Sequence, residues 1–324
     1  MSALVFLKLF VIFAIVAIGW AVAKSGRLGG GDPARTLSNA AFYIFVPALL
    51  FRTTARIDFH HLDARVLLAF FGPSVALLLI VYAAHRVRPS NVQDAAVPSV
   101  RAITATFGNT VQIGIPMAAA LFGDTGLAIH VTVVSLHSLT LLTLLTALVE
   151  LDLARERRRA DPADTRLVRM IATTARNTVI HPVVLPVLAG LAWNALGATL
   201  PAFADDILLV LGQAVVPLCL VLIGVSLAHY GVRGAVRGAL WLSLLKLVVQ
   251  PIAVFALARW GFGLTGVPLA IVVMMAALPV GSNALVFAQR YQTLQAETST
   301  ATVVSTLGFV VTAPIWLALL HAFG

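Results

Sequence analysis

Apolar runs of about 20 residues, long enough for a helix to cross a hydrocarbon core of about 30 Å, extend along the whole chain. Short segments that hold most of the charge separate them. Ten such runs are present, at 4–23, 37–51, 66–84, 103–122, 127–149, 170–196, 207–228, 239–258, 267–288 and 301–322. The pattern therefore predicts an all-α polytopic membrane protein with ten transmembrane helices.

The composition agrees with a membrane protein. The chain of 324 residues is 60% hydrophobic and 11% charged, whereas soluble domains carry about 25% charged residues. Its net charge of +9 does not indicate a nucleic-acid partner, because the basic residues lie between apolar runs rather than clustered on a folded surface. We therefore expect a lipid bilayer around the protein.

Lysine and arginine residues predict the orientation in the membrane. If the N-terminus is outside, fifteen fall in cytoplasmic segments and four in external ones, as the positive-inside rule favours. The cytoplasmic set is Lys24, Arg27, Arg35, Arg86, Arg88, Arg101, Arg155, Arg157, Arg158, Arg159, Arg166, Arg169, Arg233, Arg237 and Arg290, and the external set is Arg52, Arg56, Arg65 and Arg259. The first run has no small-residue cleavage site, so we interpret it as a retained helix rather than a signal peptide.

A basic segment divides the chain into two sets of five runs. The predicted units are a first five-helix repeat at 1–150, a cytoplasmic linker loop at 151–169 and a second five-helix repeat at 170–324. Because five is odd, the two repeats would have inverted topology, which is a common transporter plan.

Weak similarity between the halves supports this plan. Gly19 and Gly190 are 171 residues apart (190 − 19), and Pro47 and Pro217 are 170 apart (217 − 47). Pro116 and Pro279 are 163 residues apart (279 − 116). These offsets agree with the inverted charge topology.

Two runs are interrupted by polar and helix-breaking residues, FGNTVQIGIP at 107–116 and LPVGSN at 278–283. Proline removes a helical hydrogen bond, and glycine lets the backbone leave helical geometry. The freed backbone groups are tolerated where they line a cavity, so we predict two broken helices around a substrate site. The alternative is a pair of simple proline kinks. The candidate substrate-binding residues are Asn109, Thr110, Gln112, Gly114, Pro116, Pro279, Gly281, Ser282 and Asn283.

The expected substrate is an anion. The N-terminus of a half-helix presents unpaired N–H groups and a partial positive charge. The nearby carboxylates lie at or beyond the ends of the runs, so mid-span carboxylates that would attract a cation are missing; they are Glu150, Asp205, Asp206 and Glu297. Lys246 is a candidate counter-charge for a bound carboxylate, and the alternative is that it snorkels toward the cytoplasm.

His137 is a candidate proton carrier, because histidine titrates near physiological pH. The alternative is that it belongs to a polar stripe that bonds neighbouring helices. Sequence motifs of hydrolases, P-loop enzymes and metal centres are missing, so neither an enzyme nor a cofactor or metal site is expected. The coupling ion, H⁺ or Na⁺, stays open.

The chain resembles the auxin efflux carrier family, which includes plant auxin carriers and bacterial malonate or malate permease-like proteins. The residues that carry the resemblance are FVPALLF, FGNTVQIGIPMAAALFGD, LLKLVVQP, LPVGSNALVFAQRY and TATVVSTLGF. The resemblance implies two inverted repeats whose fourth and ninth helices cross at prolines, here Pro116 and Pro279. It also implies polar substrate contacts at Asn109 and Asn283, and a homodimer.

The short linker is similar to that of the compact bacterial members, which implies location in a bacterial inner (plasma) membrane. The predicted function is therefore secondary transport of small organic anions, mono- or dicarboxylates such as malonate or malate, by alternating access. One rival is a sodium-coupled organic-anion symporter of a related ten-helix fold. Another class of rival is an anion channel or a membrane sensor.

Overall fold

The computed structural model describes residues 3–29, 31–56, 63–87, 95–160, 176, 180, 184–230 and 236–323. Within these ranges the regular structure is helical, apart from one isolated bridge between Gly108 and Val280. The helices are α1 (Ala3–Lys24), α2 (Pro33–Thr54), α3 (Ala64–Val87), α4 (Val97–Thr106), α5 (Ile115–Ala160), α6 (Val184–Ala195), α7 (Ala202–Gln213), α8 (Val215–Tyr230), α9 (Val236–Gly261), α10 (Gly266–Ala277), α11 (Ser282–Arg290) and α12 (Gln295–Phe323).

Among the described residues, six helical segments are long and apolar enough to cross a bilayer. They are Pro33–Thr54, Ala64–Val87, Thr110–Leu153, Ala202–His229, Val236–Gly261 and Gln295–Phe323. Helices satisfy their own backbone hydrogen bonds, which is the condition for a single segment to lie in hydrocarbon. The prediction of an all-α protein with helices that could span a membrane is therefore confirmed, and the ten-helix arrangement stays a prediction.

Several boundaries differ from the predicted runs. The second run, predicted at 37–51, is part of a 22-residue helical segment, Pro33–Thr54, because the polar turn before it is also helical. Helix α5 continues to Ala160, into the predicted linker, and the rest of that linker lies outside the described residues. Gly123, with φ of 65°, bends α5 between the predicted fourth and fifth spans.

Both predicted interruptions are present. Helix α4 ends at Thr106, an extended residue follows, and a π-helical turn over Thr110–Gly114 leads into α5. Helix α10 ends at Ala277, and α11 begins at Ser282 after a short non-helical segment. Gly108 in the first segment, and Pro279 with Gly281 in the second, account for the breaks, because neither residue type supports an uninterrupted helix.

Glycines let helices from opposite halves of the chain pack closely. A Cβ atom at Gly19 on α1 would lie 2.3 Å from the carbonyl oxygen of Val221 on α8. A Cβ atom at Gly190 on α6 would lie 2.0 Å from Oγ1 of Thr54 on α2. Close backbone approach at small residues is typical of membrane helix packing.

Candidate functional site

The two interrupted segments contact each other through a pair of reciprocal backbone hydrogen bonds. The N–H of Asn109 donates to the carbonyl oxygen of Pro279 at 2.8 Å, and the N–H of Gly281 donates to that of Phe107 at 2.9 Å. A Cβ atom at Gly281 would lie 2.7 Å from the carbonyl oxygen of Gly108. Glycine at 281 is therefore needed for the two backbones to approach this closely. We call the contact between residues 107–109 and 279–281 the crossing.

The structure corrects the expected pairing of Pro116 with Pro279. Pro279 lies at the crossing, where its carbonyl accepts the Asn109 N–H, whereas Pro116 lies in the first turn of α5, beyond the π-helical turn. The bridge pairs Gly108 with Val280, an offset of 172 residues (280 − 108) that is close to the offsets of 171 and 170 found elsewhere. The position related to Pro279 by this offset is Phe107, so the first break is made without a proline.

Asn109 begins the helix that follows the first break. Its Oδ1 accepts the backbone N–H of Gln112 at 3.2 Å, and its Nδ2 donates to Oε1 of Gln112 at 3.1 Å. The first of these bonds fixes the amide orientation of Asn109, and the second then fixes that of Gln112. The second N–H of Asn109 and both side-chain N–H groups of Gln112 have no partner among the described residues, so the pair retains donor capacity.

Asn109 and Gln112 line a cavity of about 380 Å³. Polar side chains from α2 and α12 complete much of its wall, and they are Arg35, Ser38, Asn39, Ser299, Thr302 and Thr306. This volume is in the range of small-molecule sites, about 300–1,000 Å³. The cavity therefore combines hydrogen-bond donors from the first break with a size that fits a small solute.

Among the described residues of the cavity wall, the charged ones are Arg35 and Asp32. The Asp32 carboxylate accepts the Arg35 backbone N–H at 2.9 Å and lies 3.5 Å from Nε2 of His229. In the described part of the chain no carboxylate forms an ion pair with the Arg35 guanidinium. Arg35 thus contributes a positive charge and Asp32 a negative charge to the described cavity wall, and the Asp32 carboxylate also caps α2.

The other predicted residues of the first segment hold the break together. The carbonyl oxygen of Thr110 accepts a hydrogen bond from Nε2 of His130 at 2.8 Å. A Cβ atom at Gly114 would lie 2.5 Å from that same nitrogen. His130 was missed by the sequence analysis. Its spacing of seven residues from His137, which places both on one face of a helix, is the signal that could have found it.

The second segment contributes less to the cavity. Asn283 is half-buried, and it is not among the described residues that line the cavity, where Leu285 and Val286 represent α11. Ser282 forms the first residue of α11, and Gly281 uses its N–H on Phe107. The role of Asn283 in substrate binding stays a prediction.

Lys246 lies in a π-helical turn of α9, Leu245–Val249, and is fully buried. Its Nζ donates a hydrogen bond to the carbonyl oxygen of Ala276, near the end of α10. A side chain with no exposed surface does not snorkel, so that alternative is wrong. Lys246 also does not line the described cavity wall, and its predicted role as counter-charge stays untested.

His137 is fully buried beside the crossing. Its ring centroid lies 4.3 Å from that of Phe107 and 5.8 Å from that of Phe70. Neither ring nitrogen has a hydrogen-bond partner among the described residues. The bonded polar stripe is thus not observed at this histidine, and its role as a proton carrier stays a prediction.

Two interrupted helices that cross beside a polar cavity are typical of membrane transporters. A family profile described as "Membrane transport protein" matches residues 4–317. The chain belongs to this family. The match extends over nearly the whole sequence and confirms the resemblance to the auxin efflux carriers, so the chain is a membrane transporter.

Two relatives match over most of their length. A protein named "Putative malonate transporter" from Rhizobium meliloti (strain 1021) is 23% identical over 303 residues, which cover 93% of this chain and 91% of that protein. A protein named "Uncharacterized transporter YfdV" from Escherichia coli (strain K12) is 24% identical over 296 residues, which cover 88% of each chain. Both names agree with a transporter and leave the substrate of this chain to be argued from its own residues.

Proposed function

We propose that this protein is a secondary transporter that moves small organic anions across the inner membrane by alternating access. The substrates are mono- or dicarboxylates such as malonate or malate. The observation that carries the proposal is the cavity beside the crossing, into which Asn109 and Gln112 bring amide donors. The relative from Rhizobium meliloti that is named "Putative malonate transporter" supports the same substrate class.

The chemistry of the cavity favours a carboxylate over a cation. Amide N–H groups donate to carboxylate oxygens, and Arg35 adds a positive charge with no ion-pair partner in the described residues. The N-terminal end of the helix that starts at Thr110 adds a partial positive charge. The cavity wall also contains Tyr43 and apolar residues of α8 and α11, which can contact the carbon skeleton of the substrate.

We further propose the ten-helix plan of two inverted repeats, 1–150 and 170–324, joined by the linker 151–169. The hydrogen bonds of the crossing support it, because a two-fold rotation that exchanges Gly108 with Val280 also exchanges the two bonds. The close contacts of Gly19 with α8 and of Gly190 with α2 support it in the same way, since each half contributes its first helix to the second helix of the other half.

The proposed location is a bacterial inner membrane, with the N-terminus outside. In this orientation the segment that holds Asp32 and Arg35 is cytoplasmic. The cavity wall would then include residues of the cytoplasmic side, as in the inward-facing form of an alternating-access carrier. A homodimer is proposed from the family resemblance.

The proposal is tested by ligand-induced stabilisation of the purified protein. Malonate, malate and a panel of monocarboxylates are added at equal ionic strength, and the melting temperature is measured. A ligand at 100 times its Kd stabilises the folded state by about 2.7 kcal/mol. Malonamide, which has the shape of malonate without its charges, is the matched control. If malonamide stabilised the protein as much as the acids do, the organic-anion site would be rejected. It would also be rejected if the acids produced no stabilisation.

Transport kinetics separate a carrier from a channel. In proteoliposomes loaded with the stabilising acid, a carrier shows saturable uptake that is accelerated by unlabelled acid on the opposite side. Flux proportional to concentration, without exchange, would instead indicate a channel. Binding without any flux would favour a sensor.

A further inference from the structure

The carbonyl end of α10 has an unusual set of hydrogen-bond partners. In an uninterrupted helix, the carbonyl of Ala276 would accept the N–H of the residue four positions later, which is Val280. Because α10 ends at Ala277, the Val280 N–H donates instead to Oγ of Ser305 on α12, at 3.0 Å. The Ala276 carbonyl accepts from the Lys246 ammonium in its place.

The Lys246 ammonium also lies against the other interrupted segment. A Cβ atom at Gly108 would be 3.3 Å from Cε and 3.4 Å from Nζ of Lys246. The same side chain therefore lies next to both interrupted segments, at Ala276 near the end of α10 and at Gly108 after α4.

The described contacts of this ammonium are neutral backbone groups. In the ranges that the structure describes, no carboxylate lies within ion-pair distance of Lys246, whose polar contact is a backbone carbonyl. Charged side chains inside a membrane protein pair with one another or with backbone carbonyls, because an unpaired charge there is costly. The end of a helix dipole, which carries partial negative charge, stabilises a cation at this position.

The backbone of α9 departs from regular α-helical geometry at Lys246. Lys246 lies in a π-helical turn, a feature that is frequent at functional sites. Such a turn disturbs the regular pairing of carbonyls, and Nε1 of Trp316 on α12 donates to the carbonyl of Leu247 at 3.0 Å. Helix α12 thus supports the lysine turn through Trp316 and the end of α10 through Ser305.

In sodium-coupled carriers with broken helices, the carbonyl ends of half-helices and unwound carbonyls coordinate Na⁺. We propose that the Lys246 ammonium is a built-in cation that occupies this position at the end of α10, so that transport by this protein requires no sodium. Lys246 is then a positioning residue that holds the crossing, rather than the counter-charge of the substrate. The inference goes beyond the proposed function, which leaves the coupling ion open.

The first measurement needs no organic anion. The melting temperature of the full-length protein is compared in sodium chloride and choline chloride at equal ionic strength. Wild type is expected to melt at the same temperature in both salts. A sodium-specific stabilisation of wild type would overturn the inference, whatever the fate of the proposed substrate.

Substitutions at Lys246 then separate its charge from its hydrogen bond. Lys246→Gln retains an N–H donor but removes the charge, and uptake of the stabilising carboxylate in choline medium is expected to fall about tenfold or more, since bonds to charged groups are the stronger ones. Lys246→Ala removes the ammonium and leaves its space. Sodium or methylammonium is expected to raise its melting temperature, whereas choline, which is too large, is not. Lys24→Met, at the exposed end of α1, is the matched control and should behave as wild type.

Two outcomes with the Lys246 variants would contradict the inference about Lys246. Wild-type uptake in choline medium by Lys246→Gln would show that the charge is not needed and would overturn it. So would the absence of any small-cation effect on Lys246→Ala, provided that this variant is folded. If neither variant folds, the salt comparison of wild type still decides. Because the thermal measurements contain no organic anion, they stand even if the substrate class proves wrong.

Discussion

Nε2 of His130 donates a hydrogen bond to the carbonyl oxygen of Thr110 at 2.8 Å, inside the fully buried interior of the protein. Thr110 opens the π-helical turn after the first break, where the regular helical pairing of carbonyls is disturbed. The histidine of α5 therefore stabilises the interrupted segment from a helix that follows it in sequence. This contact depends on Gly114, because only a residue without Cβ leaves space for the imidazole.

Replacement of Gly114 by alanine should destabilise the protein. The added Cβ would lie 2.5 Å from Nε2 of His130 and 2.8 Å from Cδ1 of Leu278, so the imidazole must move away from the Thr110 carbonyl. Overpacking typically costs about 1–3 kcal/mol, and the melting temperature in detergent measures the loss. Gly212→Ala is the matched control, since its Cβ would make only contacts of 3.4 Å or more. Equal melting temperatures for the two variants would contradict the tight packing at Gly114.

Asn109→Asp separates the structural role of this residue from its role toward the substrate. Aspartate is as good a helix N-cap as asparagine, so the bond from the Gln112 N–H is retained and the fold should persist. The substitution replaces an amide donor by a negative charge in the cavity wall. The apparent affinity for malonate, measured from the rise in melting temperature with malonate concentration, should therefore fall about tenfold or more. A tenfold loss corresponds to about 1.4 kcal/mol of binding free energy.

The controls for this prediction are Asn109→Ser and Asn283→Asp. Serine retains the cap without adding charge, so the Asn109→Ser variant should bind malonate more strongly than the Asn109→Asp variant does. Asn283 does not line the described cavity wall, and a charge there should weaken binding less than at Asn109. A larger effect at Asn283 would place the substrate on the α11 side of the crossing.

Membership of the membrane class and the two interruptions could be predicted from the sequence, because hydrophobic run length and proline or glycine act locally. The pairing of Pro116 with Pro279 was wrong, since composition does not show which residue occupies the contact. The pairing of Gly108 with Val280 is set by backbone hydrogen bonds between segments distant in sequence. Lys246 was singled out for its cost in hydrocarbon, but its carbonyl partner depends on where α10 ends.

An ion pair between α4 and α12 should contribute measurably to stability. Nε of Arg101 lies 3.0 Å from Oε1 of Glu297, and the Glu297 side chain is only 5% exposed. Glu297→Gln would leave Arg101 without its charged partner, and hydrogen bonds to charged groups contribute about 1.5–3 kcal/mol. A double-mutant cycle with Arg101→Gln measures the coupling directly. Because Arg101 is partly exposed, the coupling energy should decrease in high salt. A coupling energy of zero at low salt would mean that the pair does not stabilise the fold.

The close packing of α1 on α8 predicts that alanine at Gly224 destabilises the protein, whereas alanine at a loosely packed glycine does not. A Cβ at Gly224 would lie 2.0 Å from the carbonyl oxygen of Val16 and 2.5 Å from the backbone nitrogen of Trp20. Backbone atoms cannot rotate away as side chains do, so Gly224→Ala must separate the two helices. We expect a loss of about 1–3 kcal/mol, seen as a lower melting temperature. Gly72→Ala, whose nearest neighbour would be the flexible Leu257 side chain at 3.4 Å, should be close to neutral. If Gly224→Ala were neutral as well, α1 would have to move relative to α8 at little cost.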